Sequence, residues 1–156
     1  MEEGRIRAVR RAVDGTVLEE LDVPPRAAAL RLEPHPEGGW YRRTWTSPAA
    51  VRTPGGGRPA ATMILFLLPP GEASAWHTVA SDEVWLWHGP DPVVLELGGA
   101  GERPEPAERI VLGPDVAQGL VPAGVWQRTL PSAGEALVSC VVSPGFDFAD
   151  FALEHP

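Results

Sequence analysis

Proline and glycine cut this chain into short pieces. Among 156 residues there are 18 Pro and 17 Gly, and nearly every apolar run is stopped by one of them. Ala61-Thr-Met-Ile-Leu-Phe-Leu-Leu68 ends at Pro69-Pro70-Gly71; its length suits a buried central strand better than a helix. Gly39 to Ser47 has aromatic and β-branched residues at strand density. Val84–His88, Val93–Leu97, Arg109–Leu112, Gln118–Val121, Val125–Leu130 and Glu135–Val142 follow, each bounded by turn formers. Strands at roughly ten-residue spacing predict an all-β sandwich, barrel or jelly roll with few short helices. No helical period runs long enough for βαβ units, and no segment repeats another. Residues 1–28, with scattered charges and Pro24-Pro25, read as an irregular N-terminal arm with at most one helical turn. Ala28–Leu32 reads as the opening of the first strand, residues 29–156 as one domain, and Pro54–Pro59 as a flexible loop.

Composition narrows the function classes. The formal net charge of −8 argues against a nucleic-acid partner, which needs a basic face. No apolar run approaches the roughly 20 residues of a membrane span, and the first residues lack the apolar core of a signal peptide. A single cysteine, Cys140, permits no internal disulfide, so a reducing cytoplasm is the expected setting. All 13 basic residues are Arg and none is Lys, which excludes a Schiff base on a protein lysine. The Arg, Ala, Pro and Gly bias points to a GC-rich bacterial genome.

The chemistry is concentrated in two runs. Gly71-Glu-Ala-Ser-Ala-Trp-His77-Thr-Val79-Ala-Ser-Asp-Glu83 nearly fits the first cupin motif, G-x-x-x-x-x-H-x-H-x-x-x-E. Pro122-Ala-Gly124-Val-Trp-Gln127 nearly fits the second, P-x-G-x-x-H. Each fit fails at a metal ligand, with Val79 and Gln127 standing where histidines are expected. Strand alternation turns His77, Ala75 and Val79 to one face and leaves Trp76 and Thr78 on the other. It groups Glu83 with Trp85 and Trp87, sends His88 outward, and groups Gln127 with Val125 and Thr129. The expected pocket has His77, Glu83 and Gln127 as polar groups and Trp85 and Trp87 as walls. The structural alternatives are a hydrogen-bonded core histidine, tryptophans that only pack, and a glutamine that only satisfies backbone groups.

Further runs carry a resemblance to a known family. Leu32-Glu-Pro-His35-Pro-Glu37-Gly38-Gly39-Trp-Tyr41-Arg42, Ser81-Asp82-Glu83-Val-Trp85, Val121–Gln127 and Ser143-Pro-Gly-Phe146-Asp-Phe148 resemble, in order, the signatures of a family of small single-domain cupins. The similarity runs from about Leu30 to Leu153. It implies a double-stranded β-helix, the cupin jelly-roll barrel of the RmlC-like superfamily, and a homodimer. Physically, Pro34 and Pro36 hold the first signature extended, and Gly38-Gly39 permits a sharp turn and close backbone approach. That brings Glu37 over a barrel mouth with Tyr41 or Arg42 reaching in; the alternative leaves Glu37 exposed at a strand entry. Phe146 and Phe148 read as packing anchors that close the barrel.

The leading expectation is a metal-independent enzyme of isomerase, epimerase or cyclase type, acting on a small polar or polyketide-like ligand. His77 serves as general acid or base, Glu83 orients and tunes it, and Arg42 pairs with an anionic group. Glu37, Tyr41, Trp85, Trp87 and Gln127 complete the binding site, and no cofactor is expected. A second reading is a non-catalytic binding protein that holds its ligand between Trp85 and Trp87. A third is a metal enzyme using His77, Glu83 and Gln127 with waters; one imidazole is a poor set for iron, nickel or zinc. His35 could compensate only from a different segment.

Overall fold

The computed structural model describes residues 5–154. It opens with a β-hairpin, β1 (Arg7–Arg11) and β2 (Val17–Asp22), and one helix, α1 (Pro25–Leu30). β3 (Glu33–Pro34), β4 (Trp40–Thr46), β5 (Ala50–Thr53), β6 (Gly56–Pro59) and β7 (Thr62–Leu68) come next. The second half holds β8 (His77–Val79), β9 (Asp82–Pro90), β10 (Val93–Leu97), β11 (Glu108–Leu112), β12 (Gln118–Val121), β13 (Gln127–Thr129) and β14 (Ala136–Ser143). A 3-10 turn (Phe148–Asp150) leads into β15 (Phe151–Leu153). The predicted all-β class holds. Among the described residues no helix is long and apolar enough to cross a membrane.

Two antiparallel sheets face each other. One has the order β12-β9-β14-β7-β4-β3, the other β11-β10-β13-β8-β15. This is a double-stranded β-helix barrel. Its interior packs Phe66, Leu68, Trp85, Val138 and Cys140 from the first sheet against Leu95, Leu97 and Leu112 from the second. The outer face of the first sheet is covered too. Leu67, Leu137 and Trp40 pack against Ala27 and Leu32, with Ala8, Leu21 and Val23 joining from the N-terminal segment. β7 is therefore apolar on both faces because both are buried, which explains its unbroken hydrophobic run.

Three expectations need correction. The N-terminal segment is not irregular: β1 and β2 pair in register, with Arg7 opposite Asp22 and Arg10 opposite Glu19. Ala28 to Leu30 end α1 and do not open a strand, because Pro25 occupies the first turn and Arg31 closes the helix in the left-handed conformation (φ 57). Proline suits the first helical turn since its missing N–H has no partner there. Pro54–Pro59 is the turn and second strand of the β5–β6 hairpin. Arg58 secures it, with Nε 2.8 Å and Nη2 2.9 Å from the two oxygens of Asp150.

Candidate functional site

Strand alternation delivers the site residues. Glu33, His35 and Glu37 step by two along the first signature, and Tyr41 and Arg43 step by two along β4. All five line a cavity of about 330 Å³, with His77 and Val79 of β8 and Glu83 and Trp85 of β9. Thr62, Ile64, Cys140, Val142, Phe146, Phe148 and Phe151 complete the lining. The volume sits at the small end of ligand pockets, roughly 300–1,000 Å³. Glu33 and Arg43 are exposed, while His35, Glu37, His77 and Glu83 are buried.

Glycine geometry sets the turn that carries Glu37. Gly38 and Gly39 have φ of 111° and 73°, a region that side chains with a Cβ disfavour. A Cβ on Gly38 would collide with the Ala73 carbonyl, and one on Gly39 would lie 2.6 Å from Phe66 Cζ. The N-terminal hairpin holds the same turn from outside. Arg10, buried, donates from Nη1 to the carbonyls of His35 and Gly39, and from Nη2 to Glu72 at 3.0 Å. Trp40 Nε1 donates to the other Glu72 oxygen.

The turn places Glu37 against His77. Glu37 Oε2 lies 2.7 Å from His77 Nε2. The contact is short but off-line, and Oε2 has no hydrogen-bond partner of good geometry among the described residues. His77 Nδ1 is 2.7 Å from the Ala75 carbonyl, so Nδ1 carries a hydrogen and Nε2 is the atom turned to Glu37. Burial opposes charge on the His77 ring, but the charge and contact of Glu37, the charge of Glu83 and the Ala75 carbonyl outweigh it, and its pKa is raised. Glu37 mirrors this: burial pushes it up, while the His77 and His35 charges and the His77 contact bring it below the ordinary carboxylate value. At such a distance attraction is on the order of 5 kcal/mol at an effective dielectric near 20, and it favours the imidazolium.

The remaining titratable groups are set differently. His35 Nδ1 accepts from the Glu37 N–H at 3.1 Å, and its ring meets Tyr41 edge-on at 4.5 Å between centroids. Burial drives its pKa down to about 4 despite Glu37, with the His77 and Arg10 charges adding to the fall. It is a neutral ring at pH 7. Glu83 rises to about 7, first because it is buried and then because Glu37 is near; His77, Gln127 and Trp85 pull the other way. Burial, aided by Glu83 and Glu37, lifts the Cys140 thiol well above its ordinary range.

Not every expected residue reaches the cavity. Gln127 pairs with His77 in register and is buried, but it stands behind the wall. Its Oε1 shares the Trp85 indole N–H with Glu83 Oε1, each at 3.0 Å. Its Nε2 makes no hydrogen bond of good geometry among the described residues, although the amide is close enough to lower the Glu83 pKa. Trp87 does not line the cavity. It faces inward like Trp85 but lies two residues on, about 7 Å, where it packs on the apolar core and donates to the Asp91 carbonyl. Arg42 is also outside; its Nε donates to the Leu30 carbonyl at 3.0 Å, and Arg43 takes the place foreseen for it. Period two counted from Tyr41 would have selected Arg43. Glu37 is deeper than a mouth position, because it contacts His77 directly. His88 faces away, 2.6 Å from Ser139 Oγ. His35, Glu33 and Phe151 are lining residues that the sequence reading left out of the site.

Metal binding needs several donors that converge. A cupin centre needs three imidazoles and a carboxylate converging, and here Val79 lines the wall without a lone pair while Gln127 is turned to Trp85. His77 has one nitrogen on Ala75 and the other on Glu37. Among the described residues no three His, Cys, Asp or Glu side chains converge as a metal would require. The donors do not fit the ion.

Residues 26–154 match the family described as Cupin superfamily (DUF985). A hypothetical protein from Leishmania major is 34% identical, with a TM-score of 0.73 over 82% of this chain and 84% of its own. A protein from Shewanella oneidensis is 34% identical, with a TM-score of 0.73 over 83% and 82%. An uncharacterized conserved protein with a double-stranded β-helix domain from Klebsiella pneumoniae is 14% identical, with a TM-score of 0.56 over 82% and 94%; that likeness speaks to fold alone. No curated protein matches the chain.

Proposed function

The chain belongs to the Cupin superfamily (DUF985), and on that premise we propose that its cavity performs metal-independent acid–base chemistry on a small molecule. The reaction class is proton transfer next to a carbonyl: isomerisation, epimerisation or cyclisation. The observation behind this reading is the buried His77–Glu37 pair, 2.7 Å apart, in the wall of a cavity large enough for a ligand. Family membership alone names no reaction, since one fold hosts many.

The geometry supports these roles. Because the contact is off-line, a ligand oxygen can share the His77 Nε2–H, and Glu37 Oε2 keeps a lone pair for a proton from the adjoining carbon. The carbon–hydrogen electrons move into an enol, the oxygen takes the His77 proton, and reversal at the same or a neighbouring carbon restores the carbonyl. Glu37 replaces Glu83 as the carboxylate that orients His77. Glu83 supports the imidazolium by charge alone.

Deuterium exchange tests this without a known substrate. A panel of small ketones and hydroxy-carbonyl compounds in D2O, followed by proton NMR, should show exchange at the carbon next to the carbonyl. His77→Gln and Glu37→Gln should each lower the rate by about 10²–10⁴, the range of general acid–base catalysis. Tight binding across the panel with no exchange would instead support a non-catalytic binding protein. A homodimer joined through the N-terminal hairpin is part of the proposal. Val17 and Leu18 there are 55% and 52% exposed, and sedimentation at micromolar concentration should show the pair.

A further inference from the structure

The charges of the cavity do not cancel. Arg43 and Glu33 both lie at the exposed rim, where Arg43 Nη2 donates to the Phe146 carbonyl, and His35 is neutral. Deeper in, two carboxyls flank one imidazole: Glu37 takes the His77 charge by contact, and Glu83 is left over. Glu83 is 7% exposed, and its one hydrogen bond among the described residues is from the Trp85 indole at 3.0 Å. Its second oxygen receives no hydrogen bond of good geometry from the described residues, although the Gln127 amide lies close enough to favour the carboxylate. Burying a carboxylate with so few donors is costly, and a cationic ligand beside it would offset that cost.

The aromatic lining points to a cation. Tyr41, Trp85, Phe146, Phe148 and Phe151 line the same cavity. Phe146, Phe148 and Phe151 meet edge to face, with centroids 4.9–6.0 Å apart. Aromatic faces carry negative quadrupole charge and attract organic cations, most strongly where water is excluded. An anionic ligand would meet Glu37, Glu83 and these faces inside the cavity, with Arg43 only at the exposed rim. A neutral ligand would leave Glu83 unmatched.

We propose that the cavity accepts a small organic cation, an amine or quaternary ammonium group, held between the Glu83 carboxylate and the aromatic wall. This deepens the reading given under Proposed function by naming the ligand class, and it rests on that reading only for what happens after binding. The cation displaces the proton that Glu83 otherwise keeps. The titratable neighbours facing Glu83 are His77 from β8, Glu37 from the β3–β4 turn and Cys140 from β14; Trp85 and Gln127 are its uncharged neighbours. Of these, Glu83 is the one poised near pH 7. Affinity for a cation should therefore rise about tenfold from pH 6 to pH 8, as the ionised fraction of Glu83 goes from about a tenth to about nine-tenths.

Calorimetric titration of the whole chain tests this with three cations: tetramethylammonium, choline and benzylamine. Choline is set against its neutral isostere 3,3-dimethylbutan-1-ol, and benzoate serves as the anionic control. Expected results are cation binding, at least tenfold preference for choline over the isostere, and release of close to one proton per cation at pH 6 but almost none at pH 8. Running each titration in two buffers of different ionisation heat measures that proton. Glu83→Gln should lose at least tenfold in cation affinity together with the pH dependence, and Phe148→Leu should weaken cations more than the isostere. Failure of all three cations to bind, preference for the isostere or benzoate, or an unchanged Glu83→Gln would overturn the inference. His77→Gln separates the two proposals, because it should lower deuterium exchange by about 10²–10⁴ while cation binding persists.

Discussion

The two ends of the barrel interior are made by the same strands and are opposite in character. β7 gives Thr62 and Ile64 to the cavity and Phe66 and Leu68 to the closed core. β9 gives Glu83 and Trp85 to one end and Trp87 to the other; β14 gives Cys140 and Val142, then Val138 and Ala136. Two inward steps, roughly 13 Å, separate a charged, hollow end from a filled, apolar one. The closed end fixes the strands, and the open end uses that rigidity to hold charges that would otherwise seek water. Position along a strand decides a residue's role here, more than which strand it occupies.

Breaking each end should give distinct signatures. Glu37→Ala is expected to have the largest effect, about 3–5 kcal/mol, because it strands the buried His77 charge; urea denaturation measures it, and a loss under 1 kcal/mol would mean that His77 is neutral in the fold. Leu95→Ala at the closed end should cost about 2–5 kcal/mol through lost burial and a cavity. Unlike Glu37→Ala, it should leave ligand affinity at the open end within a factor of two or so once folded protein is compared.

Glu83→Gln sharpens the contrast through pH. The folded-state pKa of Glu83, about 7, lies above its ordinary 4.5. Its contribution to stability is therefore complete below 4.5 and is lost as pH rises to about 7, about 3 kcal/mol in all. His35 runs the other way. Its folded pKa is depressed from 6.5 to about 4, so its contribution is present above 6.5 and lost as pH falls toward 4. In the native chain the two slopes oppose each other. Between pH 4.5 and 7 the variant should gain about 3 kcal/mol relative to wild type, which denaturation across that range would show; parallel curves would refute the placement of Glu83. The smallest effect is expected from Trp87→Phe, about 1 kcal/mol for the lost hydrogen bond to the Asp91 carbonyl, with cavity binding unchanged.

Much of this architecture is legible in the sequence where burial is two-sided or cleanly alternating, as in β7, β9 and β14. The N-terminal hairpin is not, because its cross-strand partners are charges, Arg7 with Asp22 and Arg10 with Glu19, and a charge-rich stretch has no hydrophobic period to read. β8, β13 and β15 have three residues each, too few to show a period. Within the site, spacing points to His77, Glu83 and Trp85 together. The Glu37–His77 contact spans forty residues and depends on two left-handed glycines, so no local pattern announces it. Trp87 and Gln127 share the inward face with site residues yet miss the cavity, since alternation gives a face and not a depth.

Cys140 turns the hollow end into a clock. It is the chain's one sulfhydryl, it sits in the cavity wall, and burial keeps it in the unreactive thiol form. A bulky disulfide reagent can attack it only when the strands part or the mouth dilates, since the thiolate is the reacting species and needs access. Labelling kinetics on the unmodified protein thus record how often the barrel breathes, and protection by an added compound records its residence, with no engineered probe.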